Sequence, residues 1–301
     1  MRTLPRKRLT EGFRRLEAEV ELAADGDYRF GSAGEFSVRV ASSLEDRLAA
    51  WRLAYDVYRG KEYAAPDPQE LWYSVHDALP ETVTVLVERS GELIGAVTVI
   101  PDSPLGLPAD RVFPAETSAL RQSGGVLAEA VSLVQGGVGE RAGMVVAARL
   151  CEFTCLVAER LLGASDLVIT VNPRHERYYR RVMLFERRGE EVPCDKVSGA
   201  LAVFLTLNFK DMDLYVRTAD LIGGPRTIYR RFMKPEEAAE VADHLAGQRS
   251  SLSTSALREY FLYRRNLFRG LAPQARAWLK GRYTRRNRRH RSGTRELEAV
   301  R

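Results

Sequence analysis

The stretch Leu167-Val-Ile-Thr-Val-Asn-Pro-Arg-His-Glu-Arg-Tyr-Tyr-Arg-Arg-Val-Met183 changes character halfway along. Leu167–Val171 is short and apolar, the pattern of a buried strand. Asn172 then suits a helix cap, and Pro173 suits the first helical turn, where its missing N–H costs nothing. The helix so opened is predicted to run to about Met183. A strand that feeds directly into a helix is a building unit of α/β folds.

The neighbouring segments extend this unit. Met144–Leu162, rich in Ala, Leu and Val, reads as a long helix, and Val126–Val134 as a strand before it. Downstream, Ala200–Leu207 closes the sheet. Upstream, the apolar runs Thr82–Glu88 and Leu93–Ile100 flank Arg89-Ser-Gly-Glu92, a hairpin signal. Phe36–Ala41 alternates apolar and polar residues, as a half-buried strand does. Ser43–Arg59 reads as a helix capped by Ser42 or Ser43, with Glu45 and Asp46 in its first turn and Leu44, Leu48, Trp51, Tyr55 and Tyr58 on one face.

The predicted order is β-α-β-β-β-α-β-α-β-β. It implies an α/β fold with a mixed central sheet flanked by helices on both faces. A charged segment, 1–35, precedes this domain of residues 36–209; it is read as an amphipathic helix at Glu11–Leu22 and then a Gly-rich loop. After Phe209, Pro235–Gln248, Leu252–Gly270 and Pro273–Lys280 show helical spacing, which marks a helical C-terminal extension over 210–281. Residues 282–301 form a basic tail.

Charge follows the same division. The 301 residues carry a net +6. Arg276–Arg301 alone hold ten basic and two acidic residues, a local +8, so the other 275 residues hold −2. Such a body does not coat nucleic acid along its whole surface. The tail run Arg282–Arg291, beside Trp278 and Leu279, fits contact with an anionic membrane; nucleic-acid contact and simple solvation are the rival readings. Three cysteines in so long a chain argue against a disulfide scaffold and for a reducing compartment. No apolar run has membrane-spanning length, and the basic start lacks the apolar stretch of a secretory signal. The expected location is the cytoplasm, with peripheral membrane contact through the tail.

Several side chains stand out chemically. Glu129 is a lone carboxylate in the apolar run Val126-Leu-Ala-Glu-Ala-Val-Ser-Leu133. A charge there needs a partner, and Arg52 is the natural one. Asp77, after His76, is either a second pocket carboxylate or a turn cap. Arg174, Arg177, Arg180 and Arg181 crowd one short helix, followed by Arg187 and Arg188; they form a solvated face or a dock for an acidic partner. Cys151 and Cys155 share a helix but have no partners at metal-ligand spacing, so core packing is expected and no metal.

Two motifs resemble a known family. Val171-Asn-Pro-Arg-His-Glu-Arg-Tyr-Tyr-Arg-Arg-Val-Met-Leu-Phe-Glu186 is similar to the strand–Asn–helix–Tyr–Phe segment of GCN-five-related N-acetyltransferases, in the version of FeeM-type N-acyl amino acid synthases. Trp51-Arg-Leu-Ala-Tyr-Asp-Val-Tyr58, His76-Asp77 and Leu127-Ala-Glu-Ala-Val-Ser-Leu133 resemble the Arg…Tyr, Tyr/Phe-Asp and Glu-strand motifs of those synthases and of acyl-homoserine lactone synthases. The similarity covers about 36–209.

The resemblance implies an N-acyltransferase fold in which the strands here at Val126–Val134 and Leu167–Val171 splay apart. The implied reaction moves a medium or long fatty acyl chain from an acyl carrier protein thioester to the amino group of an amino acid, by direct amine attack. Glu129 and Tyr179 would be catalytic; Arg52, Tyr55, Tyr58, Asp77 and Ser132 would bind substrate; Arg174, Arg177, Arg180 and Arg181 would dock the carrier. No cofactor is implied beyond the acyl-phosphopantetheine cosubstrate. Gln135-Gly-Gly-Val-Gly-Glu-Arg-Ala-Gly143 lacks the spacing of the pyrophosphate loop of coenzyme A-dependent relatives, which favours a carrier-protein donor. Thr98 stands where lactone synthases have Arg, which disfavours a lactone synthase. An acyltransferase serving another protein or a cell-surface system, and a non-catalytic acyl sensor, are the remaining rivals.

Overall fold

The computed structural model describes residues 21–222 and 235–284, apart from 24–25 and 32–33. Its strands are β1 Glu21–Leu22, β2 Tyr28–Phe30, β3 Phe36–Val40, β4 Val83–Arg89, β5 Glu92–Pro101, β6 Leu127–Gln135, β7 Asp166–Val171, β8 Glu186–Cys194 and β9 Ala200–Asn208. They lie side by side in one mixed sheet in chain order, except that β9 inserts between β7 and β8. Only β6 and β7 pair in parallel; every other neighbouring pair among these strands is antiparallel.

The helices are α1 Leu44–Gly60, α2 Pro114–Gln122, α3 Glu140–Leu156, α4 Pro173–Val182, α5 Phe209–Ile222 and α6 Pro235–Gln248, with α7 over 273–284. Strand alternation sends successive side chains to opposite faces. Val85, Val97, Ala128 and Leu205 meet Val146, Leu150 and Phe153 of α3 and Leu245 of α6 on one face. Ile100, Leu127, Val168 and Phe204 meet Trp51 of α1 and Leu257, Phe261 and Leu279 of the C-terminal segment on the other. Each of the buried Val, Leu, Ile and Phe side chains contributes about 1.5–3 kcal/mol. The C-terminal helices therefore complete both cores. Tyr283 fastens α7 by donating to the Ala78 carbonyl at 2.7 Å.

Local signals act as expected at several points. Ser43 and Asp46 form a reciprocal capping box at the start of α1. Asn172 accepts from the Arg174 N–H at 3.2 Å, and Pro173 opens α4. Ser90 (φ +53°) and Gly91 (φ +80°) make the two-residue turn between Arg89 and Glu92, with the left-handed geometry that matches strand twist. Gly95 lets α3 approach the sheet: a Cβ there would sit 3.0 Å from Val146 Cγ1 and 3.2 Å from Leu150 Cδ1.

Other expectations need correction. The helix predicted at Glu11–Leu22 falls mostly outside the described residues, and Glu21–Leu22 is a strand. The loop after it contains β2, because Tyr28 and Phe30 alternate around Arg29 and bury themselves beside β3. Helix α3 begins at Glu140, ahead of the predicted Met144, and ends in a π-helical turn at Val157–Leu161. Helix α2 was hidden in a stretch of weak periodicity. Leu252–Gly270 is not one helix: a turn at Thr254–Ala256 runs into π-helical Leu257–Tyr263, and Asn266 at φ +46° breaks the path before Leu267–Gly270. The basic tail beyond 284 lies outside the described residues, as does the start, 1–20. None of the described helices is long and apolar enough to cross a membrane.

Candidate active site

Strands β6 and β7 pair only from Leu127↔Asp166 to Ala130↔Ile169. Beyond that point β6 bulges. Its register with β5 shifts between Ala96 and Thr98, and Ser132 takes φ +53°. An extra residue in one strand bends it away from its neighbour. The gap opens a cavity of about 900 Å³, lined by Ala130, Ser132 and Leu133 of β6 and Ile169 and Thr170 of β7. Backbone N–H and C=O groups there have no ladder partner across the gap and are free to bind an extended ligand.

The cavity joins the two faces of the sheet. Cys151, Cys155, Met183 and Phe185 line it from the side of α3 and α4. Cys194, Ala202 and Val131 line it from the opposite side. One lobe is therefore mostly apolar and thiol-lined; the other contains Glu129, Arg111, Lys196 and Trp72.

Glu129 is 2% exposed. Its Oε2 accepts the Ala109 N–H at 2.8 Å. Burial pushes its carboxyl up to about 7, against the opposing pull of the Ala109 bond and the nearby Lys196 charge. Near neutral pH it populates both protonation states. The expected ion pair with Arg52 is not formed. The period of α1 turns Trp51, Ala54 and Tyr55 inward and leaves Arg52 exposed, so a backbone N–H takes the role assigned to it.

Tyr58 lines the cavity, and burial raises its phenol to about 12, partly offset by the Ser132 hydroxyl. Ser132 lines it too. Tyr55 and Asp77 do not. The Tyr55 hydroxyl accepts the Asp67 N–H at 3.0 Å and holds a loop. Asp77 caps a turn: it accepts from Trp51 Nε1 at 3.0 Å and from the Ser74 N–H at 2.8 Å. Tyr55 is thus a correction to the expected substrate contacts, while for Asp77 the turn-cap alternative holds in place of the substrate contact, since a buried carboxylate beside two donors is satisfied where it stands. Thr98 is likewise satisfied, by Thr84 at 3.0 Å.

Tyr179 of α4 lines the cavity and packs edge-on against Phe185, with centroids 5.6 Å apart. Loss of solvent around Tyr179 holds its phenol well above the usual range, so it keeps its proton. The Cys151 thiol is pushed up to about 12 by burial and is not a thiolate at neutral pH. The cysteines at 151, 155 and 194 are all buried and none is in a disulfide.

The arginines of α4 divide. Arg174, at the start of the helix, lines the cavity; it donates to His175 Nε2 at 3.0 Å and lies over the Tyr63 ring at 5.8 Å. Lys61 is close by, and burial followed by the Arg174 charge lowers its ammonium. Arg177, Arg180 and Arg181 instead line a second cavity of about 900 Å³ with Arg187 and Arg188, between α4, β8 and α5. Glu176 pairs with Arg180 and with Arg187, each at 3.1 Å.

Arg111, Lys196 and Trp72 went unnoticed in the sequence. They sit on short turns and loops whose spacing carries no periodic signal, and only the fold brings them to the cavity that Glu129 lines.

A mixed sheet parted between two parallel strands, with a cavity through the gap and a buried carboxylate in it, defines an acyltransferase of the N-acyltransferase fold. The profile of the N-acyl amino acid synthase FeeM family matches residues 49–208. The chain therefore belongs to the FeeM family of N-acyl amino acid synthases. No curated protein matches it. Among solved structures, FeeM itself, from uncultured soil microbes, is 24% identical, covers 57% of this chain and 89% of its own, and superposes with a TM-score of 0.51. An acyl-CoA N-acyltransferase from Pseudomonas aeruginosa is 16% identical over 57% of this chain and 98% of its own, with a TM-score of 0.40. BjaI, a CoA-dependent acyl-homoserine lactone synthase, is 15% identical over 68% and 98%, with a TM-score of 0.43.

Proposed function

We propose that this enzyme transfers a medium or long fatty acyl chain from an acyl carrier protein thioester to the amino group of an amino acid, by direct attack of the amine. The observation that carries this reading is the cavity that crosses the sheet at the β6–β7 gap, with an apolar lobe on one side and Glu129 on the other. The acyl chain fits the apolar lobe, while the thioester spans the gap. The amino acid occupies the lobe of Glu129.

Glu129 takes the proton that the ammonium must lose before its nitrogen attacks the thioester carbon. Unpaired backbone N–H groups of β6 beyond Ala130 are suited to stabilise the oxyanion. Collapse of the tetrahedral adduct breaks the C–S bond and forms the amide; Tyr179, which retains its proton, supplies it to the departing thiolate. A protonated Cys151 supports attack without an acyl-enzyme. The cationic surface of Arg174, Arg177, Arg180 and Arg181 supports docking of an acidic carrier, whose encounter it would steer. Residues 36–209 would carry the chemistry and 210–281 would brace it. The enzyme would work in the cytoplasm, with the basic tail at an anionic membrane surface where a fatty product partitions.

Expression in a bacterium tests the reading: mass spectrometry of the lipid extract should reveal N-acyl amino acids. Their absence, together with failure of the purified protein to consume long-chain acyl carrier protein, would refute it. N-acyl lactones in place of N-acyl amino acids would identify the enzyme as a lactone synthase.

A further inference from the structure

The Glu129 lobe contains two cations with no function assigned so far. Lys196, in the turn Asp195–Val197 between β8 and β9, lines the cavity with its ammonium 5.5 Å from the Trp72 ring centre. Arg111 lines it from the turn Pro108–Arg111, whose Ala109 N–H is the group that holds Glu129. Among the described residues, neither cation forms an ion pair or a hydrogen bond; the contact of Lys196 is with Trp72. Both charges act on buried His76, and Lys196 also acts on Glu129 and on Asp77. Besides Glu129, held by a backbone N–H, Asp195 lines the same cavity and buried Asp77 feels the Lys196 charge; against these carboxylates Arg111 and Lys196 set two positive charges that have no ion-pair partner among the described residues.

An α-amino acid bears its amine and its carboxylate on one carbon. Any acceptor that places its amine at Glu129 therefore places its carboxylate within a few ångströms of it. We propose that Arg111 and Lys196 hold the α-carboxylate of the acceptor and so select free amino acids over amines that lack one. This rests on the N-acyl amino acid synthase reading given above. Lys61 and Arg174 form a separate cationic pair beside Tyr63, at the start of α4, and are left for the phosphate of the donor arm. A planar guanidinium suits bidentate carboxylate binding, and the ammonium adds a point charge.

The test uses the full-length protein with long-chain acyl carrier protein as donor. Acceptors are the twenty amino acids, each matched with its own carboxamide. The wild type should favour the free acid by about 10- to 100-fold in kcat/KM, the loss expected when charge-assisted hydrogen bonds are removed. Arg111→Met and Lys196→Met should shrink that preference toward one by raising the acceptor KM, whereas Lys196→Arg should keep it. Both side chains are exposed, so thermal melting should not shift. Equal use of acid and carboxamide by the wild type would overturn the clamp while leaving amide synthesis intact. A rise in the KM for acyl carrier protein, with the acceptor preference retained, would overturn it and assign these cations to the donor phosphate. Acylation of no amine in either set would refute the synthase reading and the clamp with it.

Discussion

Replacing Glu129 by Gln should separate what this carboxylate does for catalysis from what it costs the fold. Glu129 is fully buried and its carboxyl is raised from 4.5 to about 7. Ionising it in the folded protein is then harder than in the unfolded chain by about 3 kcal/mol. The sign follows directly. Below pH 4.5 the group is protonated in both states and exacts no penalty. As pH rises toward 7 the unfolded chain loses the proton first, so the folded state loses stability progressively, and the loss is complete above about 7. Gln keeps an acceptor for the Ala109 N–H and carries no charge. Urea unfolding should therefore find E129Q and wild type matched near pH 4 and E129Q more stable by up to about 3 kcal/mol at pH 8. Turnover should move the opposite way. The wild-type kcat/KM should rise along an acid limb with an apparent midpoint near 7, and E129Q should lose about 10²–10⁴-fold of it together with that limb. A stability gap that does not widen with pH would refute the burial argument. An E129Q enzyme within a few-fold of wild type, with the limb retained, would refute the base assignment.

Tyr179→Phe keeps the ring contacts with Phe185 and Tyr178 but removes the hydroxyl. Turnover should fall about 10- to 100-fold with an unchanged melting temperature; full activity would relieve Tyr179 of any proton transfer. Trp51→Phe removes the Nε1–H that Asp77 accepts, leaving a buried carboxylate short of a donor. That should cost about 1–3 kcal/mol in chemical denaturation, and an acceptor KM that rises with no loss of stability would return Asp77 to the substrate pocket. Truncation after Thr284 should weaken binding to anionic vesicles while turnover on soluble donor persists. Equal vesicle binding by the truncated and full chains would remove the tail as an anchor.

The lesson of Asp77 and Arg52 is that a motif names residues without saying where their side chains lead. Arg52 stands in a motif beside Trp51, yet one step along a helix turns it to solvent. Asp77 is next to His76 in a loop where a pocket role and a turn cap both stood open, and Trp51 and Ser74 claim it for the cap. Glu129 was legible because a single charge in an apolar strand must be compensated somewhere. The identity of its partner was not, since the donor is a backbone N–H twenty residues away in a turn with no pattern of its own.

The sequence by itself determined most of the elements from Phe36 to Asn208, though not α2, together with the Ser90-Gly91 hairpin, the Asn172-Pro173 helix start and the buried carboxylate. Each of these is set by local propensity or by the period of burial, which neighbouring residues encode. Tertiary structure alone decided where β6 and β7 part, that Lys196 and Arg111 line the same cavity as Glu129, and that the C-terminal helices complete both cores. Those outcomes depend on contacts between residues far apart in the chain, and such contacts leave no periodic trace in either partner.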